Sequence, residues 1–224
     1  MSWAKKLFKF YENLHPPATL PPDVKWLYPQ QHKEVKQVLK TFLLKYYSDT
    51  KPRKLLLGIN PGRFGAGVTG VNFTAPLQLK QNCGIDHSFK MQSELSAEFI
   101  YEMIEAYGGT TQFYSDYFIS SACPLGLIKS GKNINYYDNK ELTTALEPFI
   151  VEQMNNILDF PFDKSTCYSI GGEKNFKYIL KLNEQHQWFE NIKPLPHPRF
   201  IMQYKRKQKQ QFIQIYLDLL KKRF

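Results

Sequence analysis

Two short segments carry side chains suited to hydrolytic chemistry. Asn60-Pro61-Gly62 follows the apolar run KLLLGI (54–59), which places the Asn carboxamide where a buried strand would end. An amide there can orient a water molecule while the backbone N–H groups of the turn face a ligand. Taken alone, the tripeptide is better explained as a turn whose Asn caps its own loop. His197 lies in Leu195-Pro196-His197-Pro198-Arg199, where flanking prolines frame the imidazole rigidly. It follows another short apolar run, from which it can meet Asn60 in space. A surface histidine in a proline-rich turn is the plain alternative. His15, His32, His87 and His186 fall in loops or on helix surfaces, and no role is assigned to them.

The remaining motifs concern anions. Lys205, Arg206, Lys207 and Lys209 follow the HPRF turn directly. Such a run is usually a solvated helix face, but beside a site it can contact phosphate. Gly131-Lys132-Asn133 offers a second phosphate contact or else a mobile loop. Gly65-Ala66-Gly67-Val68-Thr69-Gly70 matches GxGxxG, yet NPGRF separates it from the strand and no clear helix follows. That fingerprint works only where strand, glycines and helix adjoin, so the match is weak.

These segments need a scaffold. Short apolar runs at 54–59, 117–123, 166–171 and 191–196 read as strands buried on both sides. Helical periodicity occupies 3–14, 32–47, 95–107 (capped by Ser93, ended by Gly108-Gly109), 140–159 despite Pro148, 173–186 and about 201–222. HPPATLPPDVKWLYP, with five prolines, reads as extended loop. Strands alternating with helices predict a three-layer α/β/α arrangement on a parallel sheet of about four strands. The segments after each strand then gather at one sheet edge, where such folds bind ligands. No repeat or linker divides the chain, so residues 1–224 read as one domain, with 1–50 a helical extension packed on it.

Composition narrows the partner. Lys and Arg number 30 against 20 acidic residues, a formal charge of +10, and aromatics reach 15%. This balance favours a polyanion, nucleic acid ahead of a membrane surface, or else a basic surface with no particular partner. No apolar run approaches the ~18 residues of a membrane span. The N-terminus lacks a signal-peptide core, so a cytoplasmic protein is expected and the sequon Asn72-Phe73-Thr74 should stay unglycosylated. Cys83, Cys123 and Cys167 are too few and too scattered for a cluster, an all-Cys zinc site or a disulfide scaffold. Neither metal nor cofactor is expected.

Together these segments resemble the uracil-DNA glycosylase superfamily, and within it the single-strand-selective monofunctional uracil-DNA glycosylases. The family motif GMNPGPFG followed by TGVPF is similar to GINPGRFGAGVTGVNF (58–73). A block built around CPL and SGRN is similar to FISSACPLGLIKSGKN (118–133), and HPSPR to HPRFIMQY from His197. Arg63 after NPG, with HPRFIMQYKRK, looks like a bacterial second branch.

The resemblance implies a monofunctional glycosylase that acts as a monomer on DNA containing a deaminated base. Asn60 would position the attacking water and His197 would stabilise the departing base. Phe73 would stack on the extruded base, within a base site that also takes in Gly58, Ile59, Gly62, Phe64, Gly65 and Ser121. Arg199 or Phe200 would wedge into the duplex, and Lys132, Lys205, Arg206, Lys207 and Lys209 would meet phosphates. Ser121 stands where the family usually places a base-reading Asn. A hydroxyl reads an edge less strictly than a carboxamide, so deaminated bases besides uracil are expected substrates. No lysine falls at a motif position, so no Schiff base is expected. Two rivals follow from the same residues: a DNA-binding module of this fold without catalysis, and a nucleotide-dependent enzyme using GAGVTG.

Overall fold

A computed structural model describes residues 1–17 and 20–221. Its centre is a parallel sheet in the order β3-β2-β6-β7, formed by β2 (Arg53–Gly58), β3 (Tyr117–Ser121), β6 (Phe162–Ile170) and β7 (Ile192–Leu195). Leu55, Leu56, Leu57, Ile119, Tyr168 and Ile170 are buried, as a sheet covered on both faces requires. From β2 the chain runs outward to β3, then crosses back past β2 to β6 and β7. Winding therefore reverses at β2, which opens a crevice at its carboxyl end.

Helices α1 (Trp3–Glu12), α2 (Lys33–Tyr46), α5 (Leu95–Tyr107), α7 (Lys140–Leu158) and α8 (Gly172–His186) follow the predicted periodicity. The first is anchored by Trp3, whose Nε1 donates to the Lys51 carbonyl at 2.8 Å and whose ring packs on Phe160 and Phe162. Beneath it, Arg53 is buried against Trp3 and Tyr47. Its guanidinium pairs with Asp49 at 2.8 Å and donates to the Tyr114 carbonyl at 2.7 Å. A buried cation is tolerable only with such partners, and stripping them typically costs about 3–5 kcal/mol.

Several expectations need correction. The proline-rich stretch is not all loop, because β1 (Val24–Leu27) pairs antiparallel with β4 (Gly126–Lys129). Its residues 18–19 lie outside the described residues. The SGKN segment is not a mobile loop either. Ser130 and Gly131, at φ of +49° and +71°, form a two-residue turn joining β4 to β5 (Lys132–Ile134). Three short helices went unread: α3 (Ala66–Thr69), α4 (Pro76–Gln81) and α6 (Thr110–Asp116).

Ser93 does not cap α5. Glu94 holds that position, and the Ser93 hydroxyl instead pairs with Gln78. The final helix is broken into α9 (Pro198–Tyr204), a 3-10 turn (Arg206–Gln208) and α10 (Lys209–Leu220), and residue 222 lies outside the described residues. Between Met202 and Phe212 no aliphatic side chain is available to hold a continuous helix on the core, and adjacent like charges disfavour one. No described helix is long and apolar enough to cross a membrane.

Candidate active site

A cavity of about 560 Å³ opens at the carboxyl ends of the parallel strands. Each strand delivers part of its wall: Ser121 from β3, Ile59 to Gly62 after β2, Gly171 and Gly172 after β6, and Pro196 with His197 after β7. The ladder continues beyond the strands, with Ala122 N–H donating to the Gly58 carbonyl at 2.9 Å and Cys123 N–H to Ile59 at 3.0 Å. The segments that carry Asn60 and Ser121 are thereby held in register, with Ser121 opposite Gly58.

The Asn60 side chain does not cap its own loop. Its Nδ2 donates to the Ile134 carbonyl at 3.1 Å, and its Oδ1 accepts from Tyr136 N–H at 3.2 Å. Both partners lie at the end of the β4–β5 hairpin, so the hairpin sets the amide's orientation. One Nδ2 hydrogen and one Oδ1 lone pair are left over, which suffices to hold a water.

His197 is oriented from the other side. Its Nδ1 accepts the Arg199 N–H at 3.0 Å at the start of α9. With Nδ1 an acceptor, the neutral ring carries its proton on Nε2, leaving a donor for the cavity. Burial, and then the nearby Arg199 charge, lower its pKa from 6.5 to about 4. The imidazole is therefore neutral at physiological pH.

Phe73 also lines the cavity, at a φ of +53°. A non-glycine residue in this left-handed region costs about 1–3 kcal/mol unless its surroundings impose it. Here buried Thr69 donates to the Thr74 carbonyl at 2.7 Å, which closes the turn around Phe73. The ring lies over Gly58, where a Cβ would come within 2.7 Å of it. Glycine at 58 thus makes room for the aromatic wall.

An amide able to hold water, a neutral imidazole donor and an aromatic face share one chamber. A protein-family model of the uracil DNA glycosylase superfamily matches residues 44–221. The chain belongs to that superfamily. The crystal structure of wild-type SMUG2 from Pedobacter heparinus is similar at 42% sequence identity and a TM-score of 0.95, covering 99% of this chain and 97% of that one. This likeness places the chain in the SMUG2 branch, and it is a DNA glycosylase, a hydrolase. No curated protein matches it.

Other residues expected in the glycosylase site divide into three groups. Ile59, Asn60, Gly62, Phe73, Ser121, His197, Arg199 and Phe200 line the cavity, the last two exposed. Gly58, Phe64 and Gly65 do not: Gly58 acts through Phe73, Gly65 packs under Glu94, and Phe64 is exposed beneath the Arg63 guanidinium. Lys132 and the cluster at 205–209 also lie outside the wall. Within that cluster Arg206 pairs with Glu98 at 3.6 Å and Lys209 with Glu102 at 2.6 Å, which leaves Lys205 and Lys207 without an ion pair among the described residues.

The GAGVTG run forms no dinucleotide loop. Its helix is only four residues long, and Gly67 is packed against Leu27 and the Gly62 carbonyl. Sequence reasoning missed Asn72, Glu94, Asn135 and Tyr137, which line the cavity together with Asn133, expected only as part of a phosphate contact. Asn72 carries no local signal beyond its sequon, and Asn135 and Tyr137 follow a hairpin that hydrophobic period does not reveal. Burial raises the Glu94 pKa, against the opposing pull of Arg199. Among the described residues no group of three or more His, Cys, Asp or Glu is placed to hold a metal.

Proposed function

We propose that this glycosylase is monofunctional and releases uracil and other deaminated bases from DNA, leaving an abasic site for base excision repair. The observation that carries the reading is the meeting of Asn60 and His197 across one cavity, each with one face fixed by backbone and the other free.

The base leaves the helix and enters the cavity, stacked on Phe73. As the bond between C1′ and the base nitrogen breaks, its electron pair departs with the base. The His197 Nε2–H, preset by the bond at Nδ1, donates to the oxygen on which that charge gathers. Asn60 holds water against C1′. Its oxygen bonds to the sugar carbon, one proton is released, and the departing base anion regains a proton. Asn60 is a neutral amide, so it positions the water without serving as a strong base. No lysine lines the cavity among the described residues, which supports hydrolysis without a Schiff base or strand cleavage.

Phe200, 46% exposed at the cavity rim, is the apolar candidate for filling the space that the base vacates. Lys205 and Lys207, exposed and without an ion pair among the described residues, are the cations of the cluster available to phosphate. The protein acts as a monomer, a single domain in the cytoplasm, with every group used above supplied by one chain.

The experiment is single-turnover excision from oligonucleotides that carry uracil, hypoxanthine or xanthine, each single-stranded and in duplex. Release of more than one deaminated base supports the proposal. Release of uracil alone would limit it to a uracil enzyme.

A further inference from the structure

We infer that Asn72 sets the polarity of Ser121, making its hydroxyl an acceptor-only reader of the ring N–H that deaminated bases share. The inference rests on the reading above, in which an extruded base occupies the cavity.

Asn72 Nδ2 donates to the Ile119 carbonyl at 3.4 Å. A carbonyl can only accept, so turning the amide over would set two acceptors against each other. The amide oxygen must therefore face the other way, where Ser121 Oγ lies 2.8 Å from Oδ1. That oxygen can also only accept, so the Ser121 proton points at Asn72. Both residues line the cavity, and what Ser121 has left to offer there is a lone pair.

A lone pair selects its partner by charge. Uracil, hypoxanthine and xanthine all carry a ring N–H beside a carbonyl, which in uracil and hypoxanthine results from exchanging an exocyclic amine for oxygen. Cytosine and adenine present a bare nitrogen at the same place, which an acceptor repels. A free serine hydroxyl would rotate and satisfy either edge; one held by Asn72 accepts only an edge with a ring N–H, which excludes cytosine and adenine. The device separates damaged bases from cytosine and adenine without distinguishing pyrimidine from purine.

The test is a double-mutant cycle with Asn72→Leu and Ser121→Ala, read by single-turnover excision of uracil and of hypoxanthine. Ser121→Ala should lose about 3- to 10-fold, the worth of one neutral hydrogen bond, by the same factor on both bases, whereas Asn72→Leu, which frees the hydroxyl to rotate, should lose less on both and discriminate less against cytosine. The double variant should be no slower than Ser121→Ala. Asn72→Leu should keep a melting temperature close to that of wild type, which separates polarity from folding. Losses that multiply in the double variant, or that fall on one base only, would overturn the inference. A wild-type protein that releases neither base would instead remove the glycosylase reading beneath it.

Discussion

Nδ1 of His197 accepts the main-chain N–H of Arg199, two residues on, at 3.0 Å. One hydrogen bond thus fixes tautomer and direction together, while burial keeps the ring neutral. The consequence is visible in pH dependence. Because the folded pKa is lowered from 6.5 to about 4, the Nε2 donor persists throughout that interval and is joined by a second proton only below it. Excision should therefore show no acid limb near 6.5 arising from His197. Stability carries the opposite trend: between 6.5 and about 4 the unfolded chain binds a proton that the folded chain refuses, so acidification through that window favours unfolding. A pH–rate profile under single-turnover conditions, compared with a urea titration at each pH, checks both.

Asn60→Ala should lower the rate of excision about 10²–10⁴-fold, the usual range for a lost positioning or proton-transfer contact. DNA affinity should change little. The substitution also leaves the Ile134 carbonyl and Tyr136 N–H without their partner, so a fall in stability of about 1–3 kcal/mol is expected. Chemical denaturation measures the second effect separately from the first. A variant within a few-fold of wild type would reduce Asn60 to a structural clamp.

Gly58→Ala introduces a methyl group 2.7 Å from the Phe73 ring. The ring is the movable partner, so it should swing towards the cavity and lose its stacking position. Excision should fall by at least tenfold while the melting temperature drops by only a few degrees, about what 1 kcal/mol produces in a domain of this size. Equal activity would show that the base does not stack on Phe73.

Neutralising Lys205 and Lys207 together should flatten the log–log salt dependence of duplex binding by about two units, at roughly 0.9 per phosphate contact. Neutralising Arg206 and Lys209 should do less, since Glu98 and Glu102 already engage them. Phe200→Ala should act differently again. It should slow excision from duplex far more than from single strands, where no stacked partner must be displaced. Equal losses on both substrates would assign Phe200 a general binding role.

Much of this was legible in the sequence because hydrophobic period reports burial directly. The four parallel strands and the helices α1, α2, α5, α7 and α8 each bury a regular stripe. Other elements lacked that signal: β5 has no fully buried residue, and α3 is a single turn held by contacts from Leu27 and Gly62. The site divides on the same line. Asn60, Phe73 and His197 stand in recognisable motifs at strand ends. The partners that orient them are remote in sequence, as with Asn60, whose amide is held by residues 74 and 76 positions away. Asn72 shows the limit most clearly, since its bond to Ser121 spans 49 positions and leaves no local pattern.

The central claim is that this cavity hydrolyses the bond between a deaminated base and its sugar. Its most direct test is to incubate the purified protein with a single-stranded oligonucleotide containing one uracil, then detect free base and DNA by mass spectrometry before and after alkali. The expected result is free uracil and an intact strand with an abasic site, cleaved at that position only by alkali, and abolished by Asn60→Ala together with His197→Ala. An oligonucleotide that is bound but stays fully uracil-containing would contradict the claim.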